Sequence, residues 1–270
     1  MVNPTQALIS GLFVYPIKSC SPIAPNAAEV ERRGLKYDRR YMLVDEQGQF
    51  VTGRQFGMLV RITANPGTHG LHVSAPGMET LTVRHPRGEP RRRAIIWGQA
   101  VSVLDAGDEA AEWFSTVCGR SLRLVHADAV MQRPVDAAYG NHDDAVAFPD
   151  GYPVLLISQQ AVEELSDRVG RRMEIGRFRP NLVVSGVAAH AEDGWRQVRI
   201  GSVLFDVIKP CVRCVFTTVD PVTGERTGDG EPLQTLKGYR HNGRGIVFGQ
   251  NLIPRSKGSV HLGDAVEIIE

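Results

Sequence analysis

Two of the chain's four cysteines stand three residues apart in Lys209-Pro210-Cys211-Val212-Arg213-Cys214, and Val215-Phe216-Thr217-Thr218-Val219-Asp220 follows. Cysteine acts as a nucleophile or metal ligand through its thiolate, and nearby cations favour that form. Lys209 and Arg213 supply such cations. Four chemistries compete for the pair. A thioredoxin-like redox couple opens a helix after a strand in an α/β fold, whereas β-branched residues follow here. A four-cysteine zinc site would have to recruit the solitary Cys20 and Cys118. A packed structural pair is the third reading. The fourth is one thiolate on a soft, redox-active metal, with basic groups around it holding an anionic cofactor.

Basic and hydroxyl residues where strands end support the fourth reading. Lys18 and Ser19 follow Tyr15-Pro16, Arg39 follows Asp38, and Arg179 and Asn181 flank Pro180. With Arg213 they can converge on a phosphate, which guanidinium groups bind in a forked geometry. Other chemistries lack their residues. There is no P-loop, no H-E-x-x-H and no G-x-S-x-G. Gly243, Gly245 and Gly249 have the wrong spacing for a dinucleotide fingerprint, and His142 beside Asp143 and Asp144 reads as a surface loop. Four cysteines are too few for a ferredoxin-type cluster besides the pair.

The elements that must position these residues read mostly as strands under the alternation rule. Ile9 to Tyr15 is closed by Pro16, and Arg40 to Asp45 and Gln49 to Thr52 flank a Glu46-Gln47-Gly48 turn. Leu59 to Thr63, Leu71 to Ser74 and Glu79 to Val83 continue the pattern, which predicts a β-meander or small barrel. Arg84 to Arg93, ending in three arginines, reads as a solvated loop or a docking patch for an acidic partner. Asp108 to Cys118 predicts a helix capped by Asp108, ended by Gly119, with Cys118 on its core face. Val154 to Ile157 leads to Ser158, which can cap a second helix as far as Gly170. Leu182 to Val184, Val198 to Ile208 (split at Gly201-Ser202), Ile246 to Phe248, Ser259 to Leu262 and Ala265 to Ile269 complete a strand-rich second half. With no βαβ alternation, a doubly wound sheet is not expected.

Composition bounds the rest. A chain of 270 residues, 42% hydrophobic and 23% charged, suits one large or two small globular domains. A net charge of +1 predicts neither nucleic-acid nor membrane-surface binding. No apolar run approaches the ~20 residues of a membrane helix. Met1 to Gln6 has no basic region leading into an apolar core, so no secretory signal is expected. So few cysteines in so long a chain make no disulfide scaffold, and a reducing cytoplasm is the expected compartment.

Taken together, the motifs resemble the MOSC family. Tyr15-Pro16-Ile17-Lys18-Ser19-Cys20 and Asp38-Arg39-Arg40-Tyr41-Met42-Leu43-Val44 resemble its N-terminal barrel. Phe178-Arg179-Pro180-Asn181, the cysteine stretch through Pro221, Glu231-Pro232-Leu233, Leu236-Lys237, Tyr239-Arg240 and Phe248-Gly249-Gln250-Asn251 resemble the MOSC domain itself. The pattern is similar to bacterial YcbX proteins and the mitochondrial amidoxime-reducing component, although YcbX continues into a ferredoxin domain.

The resemblance implies a mainly β fold with a few helices: a MOSC β-barrel, residues 121–270, packed on a smaller N-terminal β-barrel-like domain, residues 1–120. It implies a molybdenum cofactor (Mo-molybdopterin) between the halves, with Cys214 as metal ligand and catalytic residue. Lys18, Ser19, Arg39, Arg179, Asn181 and Arg213 would bind the pterin and its phosphate, and Gly151, Tyr152, Gln250 and Asn251 would line the same cofactor. The family often has a small residue near Tyr152 and an aromatic at Asn251, so this chain departs there. Cys211 takes no ligand role. The implied reaction reduces N-hydroxylated compounds such as amidoximes with two electrons and two protons, releasing water. Electrons would come from a separate ferredoxin- or flavoprotein-like donor, with no nucleic acid or membrane involved. The alternative is a carrier that holds the cofactor, or sulfur on Cys214, for delivery.

Overall fold

The computed structural model describes residues 6–88 and 90–270. The expectation of no secretory signal rests on a stretch whose residues 1–5 lie outside those described, as does Glu89 of the basic stretch. Among the described residues the chain is mainly β, with three α-helices: α1 Asp108–Cys118, α2 Gln159–Val169 and α3 Leu233–Tyr239. Among the described residues no helix is long and apolar enough to cross a membrane.

The largest sheet has seven strands, ordered Leu8–Leu12, Leu182–Ser185, Val154–Ser158, Val247–Pro254, Val203–Val212, Gln197–Ile200 and Val266–Ile268. Every residue of Val154–Ser158 is buried, because both faces of that strand are covered. Val154 and Leu156 meet Leu182, Val184, Phe205 and Leu252 on one side. Leu155 and Ile157 meet Ala161, Val162 and Leu165 of α2 on the other. The strand pairs in parallel with Leu182–Ser185 across α2 and antiparallel with Val247–Pro254.

A second sheet runs Phe50–Val51, Tyr41–Val44, Arg123–His126, Gln99–Asp105 and Arg91–Ile96. Trp113 and Phe114 of α1 join Leu43 and Leu124 in its core, and Gly119 ends α1 in the left-handed region at φ +62°. The two halves are threaded through one another. Leu8–Leu12 lies in the seven-stranded sheet against Leu182–Ser185. The chain then crosses: the Phe13 N–H donates to Asn181 O, and the Lys18 N–H to Tyr41 O, both at 2.8 Å. Lys18 and Ser19 therefore sit where one half hands over to the other.

Local expectations needed correction in three places. Leu59–Thr63 is not a strand; Gly57–Arg61 forms a 3-10 turn that buries Leu59 and Val60 in succession, and the strand starts at Thr63. Gly57 lies so close to the Gly224 carbonyl that a side chain would collide with it. Arg91–Ile96 is an edge strand rather than a loop. Ala94 and Ile96 point into the core, while Arg91 pairs with Asp128 at 2.8 Å and Arg92 with Asp105. The helix caps differ too. Gly107 precedes α1, and Asp108 instead pairs with Arg123 at 2.7 Å. Ser158 precedes α2 without capping it; its Oγ accepts from the His190 N–H at 3.2 Å.

Candidate functional site

The cysteine stretch ends the Val203–Val212 strand. Pro210 has no N–H for the ladder, and the pairing with Val247–Pro254 is irregular on both sides of it. Cys214 begins the short 3-10 turn Val215–Thr218. Its sulfur faces a cleft between the halves that is also lined by Lys18, Ser19, Arg39, Gly151, Tyr152, Arg179, Asn181, Arg213 and Asn251. Ten of the eleven residues expected from sequence thus share one cleft. Gln250 does not. Neighbours on a strand face opposite ways, so Asn251 turns to the cleft while Gln250 turns to Asp193 at 2.7 Å, which in turn pairs with Arg240.

Tyr15 organises the cations. Its buried ring has the Arg39 guanidinium at 4.4 Å and that of Arg179 at 4.1 Å. Burial pushes the phenol up to about 12, so the ring stays neutral. Ser19, Arg39 and Arg179 all adopt left-handed backbone, at φ +69°, +46° and +55°. Such strain in non-glycine residues gathers at functional sites. Arg39 donates to Asp38, to Asn181 Oδ1 at 3.1 Å and to the Arg179 carbonyl at 3.1 Å. Asn181 also accepts from the Leu155 N–H and donates to the Phe13 carbonyl. Arg213 grips the carbonyls of Phe178 and Phe248 at 2.9 and 2.8 Å. These side chains hold the walls in register.

Two residues that sequence reasoning missed complete the floor. Arg54 donates through Nε to Cys214 Sγ at 3.1 Å and through Nη2 to Asp150 at 2.8 Å. Asp150 also pairs with Lys18. Burial opposes the Asp150 carboxylate, but Lys18 and Arg54 outweigh it and hold the group well below the usual carboxylate range. Its carboxylate is 56% exposed, so the pairings are partly screened. Arg54 follows Thr52-Gly53 at a strand end, the same signal that marked Arg39. Asp150 had no local signal. Cys211 also lines the cleft, but its thiol packs against the Phe178–Phe248 cluster and burial raises its pKa.

The lining side chains include six cations, Lys18, Arg39, Arg54, Arg177, Arg179 and Arg213, against one carboxylate, Asp150. Arg179 Nη2 is buried without a hydrogen-bond partner, as is Arg177 Nη1. A buried donor left unmade costs roughly 1–3 kcal/mol, so the cleft is built for an anion. No group of three or more His, Cys, Asp or Glu side chains converges among the described residues. A metal here would arrive with an organic ligand and take one thiolate from the protein. The donor set fits a phosphate-bearing cofactor of that kind.

Lys18 gives this charge balance a pH dependence. Burial pushes its ammonium from the ordinary 10.5 down to about 8, with Asp150 opposing. Below about 8 the burial cost is fully present. Between about 8 and 10.5 the unfolded chain holds a proton the native chain lacks, so stability rises with pH. A bound anion loses its partner over the same window. Sulfate, which does not titrate there, is expected to bind more weakly as pH is raised from about 7 to about 9.5. Calorimetric titration should show that slope, flattened in Lys18→Met; an equal slope in the variant would contradict it.

Comparison with known proteins follows the same two halves. Residues 6–121 match the MOSC N-terminal beta barrel domain, and residues 143–267 match the MOSC domain. The chain is 35% identical to mitochondrial amidoxime-reducing component 1 of Mus musculus, over 97% of this chain and 82% of that protein. It is 33% identical to the Xenopus laevis protein of the same name, over 96% and 81%. For the Homo sapiens protein the figures are 31%, 97% and 82%.

Proposed function

The chain belongs to the MOSC family, with relatives among the mitochondrial amidoxime-reducing components, and from that premise we propose that it binds a molybdenum cofactor and reduces N-hydroxylated compounds. The observation that supports this most is the pairing of an accessible Cys214 sulfur, 3.1 Å from Arg54, with a cleft of six cations in which Arg179 Nη2 lacks a hydrogen-bond partner. A molybdenum cofactor, molybdenum held by molybdopterin, would supply the two-electron redox chemistry that protein side chains lack.

In this reading the chain's own groups do four things. Cys214 would supply the metal's protein thiolate, and the Arg54 N–H directed at its sulfur fixes its orientation. Lys18, Ser19, Arg39 and Arg179 grip the phosphate and pterin. Asn181 and Arg213 hold the walls through backbone carbonyls. Gly151, Tyr152 and Asn251 edge the cleft. The overall reaction takes an N-hydroxylated substrate, two electrons and two protons to the reduced compound and water. A separate ferredoxin- or flavoprotein-like donor would supply the electrons.

The test is reduction of benzamidoxime by the molybdenum-loaded chain with chemically reduced viologen as donor. Benzamidine should form in step with viologen oxidation. A loaded protein that forms none, yet passes its cofactor to a cofactor-free enzyme, would favour a carrier instead.

A further inference from the structure

The cleft shares Asp150, Gly151 and Tyr152 with a second, adjoining cavity of about 590 Å³. Trp97, Gln99, Arg133, Asp136 and His142 help to line it. Trp97 is out of place by ordinary turn chemistry. It and Gly98 form the two-residue turn between Arg91–Ile96 and Gln99–Asp105, with φ +50° and +78°. Turns of that shape favour Asn-Gly, and a bulky side chain at the first position is strained. The indole is nonetheless 47% exposed and held from behind. The Arg54 guanidinium lies 4.8 Å from its centroid and the Phe50 ring 4.9 Å. Because Arg54 also donates to Cys214 Sγ, the indole stands one guanidinium away from the sulfur.

The polar lining narrows what the cavity takes. The Arg133 donors are occupied by Gln99, by the carbonyls of Ala147 and Pro149, and by the carbonyl of Asp150. It therefore serves as wall, not as anion receptor. Asp136 and Asp150 bring carboxylates to the same cavity.

We propose that this cavity is a subsite for the non-reacting part of the substrate, taking a planar aromatic group of neutral or cationic character stacked on the Trp97 indole. The substrate's polar head then passes Asp150 and Tyr152 toward Cys214. An offset-stacked ring on a fixed indole contributes contact beyond simple burial. Lys18 and Arg54 already pair with Asp150, so it is Asp136 that turns away anionic substituents. The identity of the head group rests on the reductase reading; the aromatic preference rests on the cavity.

The molybdenum-loaded chain, titrated calorimetrically without electron donor, reads binding apart from turnover. The ligands are benzamidoxime, acetamidoxime and 4-carboxybenzamidoxime. Trp97→Asn creates the favoured Asn-Gly turn, so its thermal midpoint should not fall. Its dissociation constant for benzamidoxime is expected to rise about tenfold, with acetamidoxime unchanged. Trp97→Phe should recover most of the loss, and the carboxylated ligand should bind wild type more weakly than benzamidoxime. Equal weakening of both uncharged ligands, or none, would overturn the subsite. If benzamidoxime binds through Trp97 but is never reduced when donor is added, the subsite stands and the reductase reading falls. If it is reduced equally well by wild type and Trp97→Asn, the reductase reading stands and the subsite falls.

Discussion

Replacing Cys214 with serine is expected to lower benzamidoxime reduction on the order of a thousandfold or more, with the fold intact. A serine hydroxyl is hard and stays protonated at neutral pH, whereas molybdenum bound by dithiolene sulfur wants a soft, anionic ligand. No neighbour can substitute. Cys211 packs against the Phe178–Phe248 cluster with its pKa raised by burial. Cys20 and Cys118 lie with the core of the N-terminal half, and burial pushes their thiols up to about 12 and about 11. Folding has little stake in the Cys214 side chain, which is only half-buried and whose sulfur accepts a hydrogen bond from Arg54. Viologen-coupled turnover and circular dichroism on the same preparation separate loss of the ligand from loss of the protein. Full activity in the variant would remove Cys214 from the metal.

Arg179→Met should move stability and cofactor retention in opposite directions. The Arg179 guanidinium is stacked on Tyr15, 5.5 Å from the Phe216 centroid, with Nη2 buried and unpartnered. Burial pushes its pKa down to about 10, the mark of a cation lacking a counter-charge. Methionine has similar length and no charge to desolvate, so the cofactor-free protein should gain about 1 kcal/mol in urea denaturation. The loaded protein should retain at least about tenfold less pterin after dialysis, since a charge-assisted contact to phosphate is lost. A variant that is destabilised while cofactor-free, yet keeps its pterin, would show that Arg179 is a structural residue.

The contrast between these two residues and others in the cleft marks how far sequence reaches. That Lys18, Ser19, Arg39 and Arg179 share one cleft was legible because strand ends are where a sheet presents such groups. Whether a cation is free or committed was not legible. Arg213 looks like Arg179 in sequence, yet its donors close on the carbonyls of Phe178 and Phe248, which only the folded sheet brings together. Gln250 was misdirected by one step of strand alternation. Arg54 carries a readable signal at its strand end, whereas the role of Asp150 depends on partners at positions 18 and 54, far off in sequence. The fold shows the same division. Alternation announced a strand over Ile9 to Tyr15, where the fold has Leu8–Leu12, but not that it pairs with Leu182–Ser185. In Arg91–Ile96 the charges masked the inward Ala94 and Ile96.

The proposed function requires that the cleft hold a molybdenum cofactor through one thiolate. Elemental and pterin analysis of the chain, purified from a host that makes the cofactor, tests that most directly. About one molybdenum and one pterin per chain is the predicted result. A folded chain with the anion affinity of its cleft intact, but with neither molybdenum nor pterin, would contradict it.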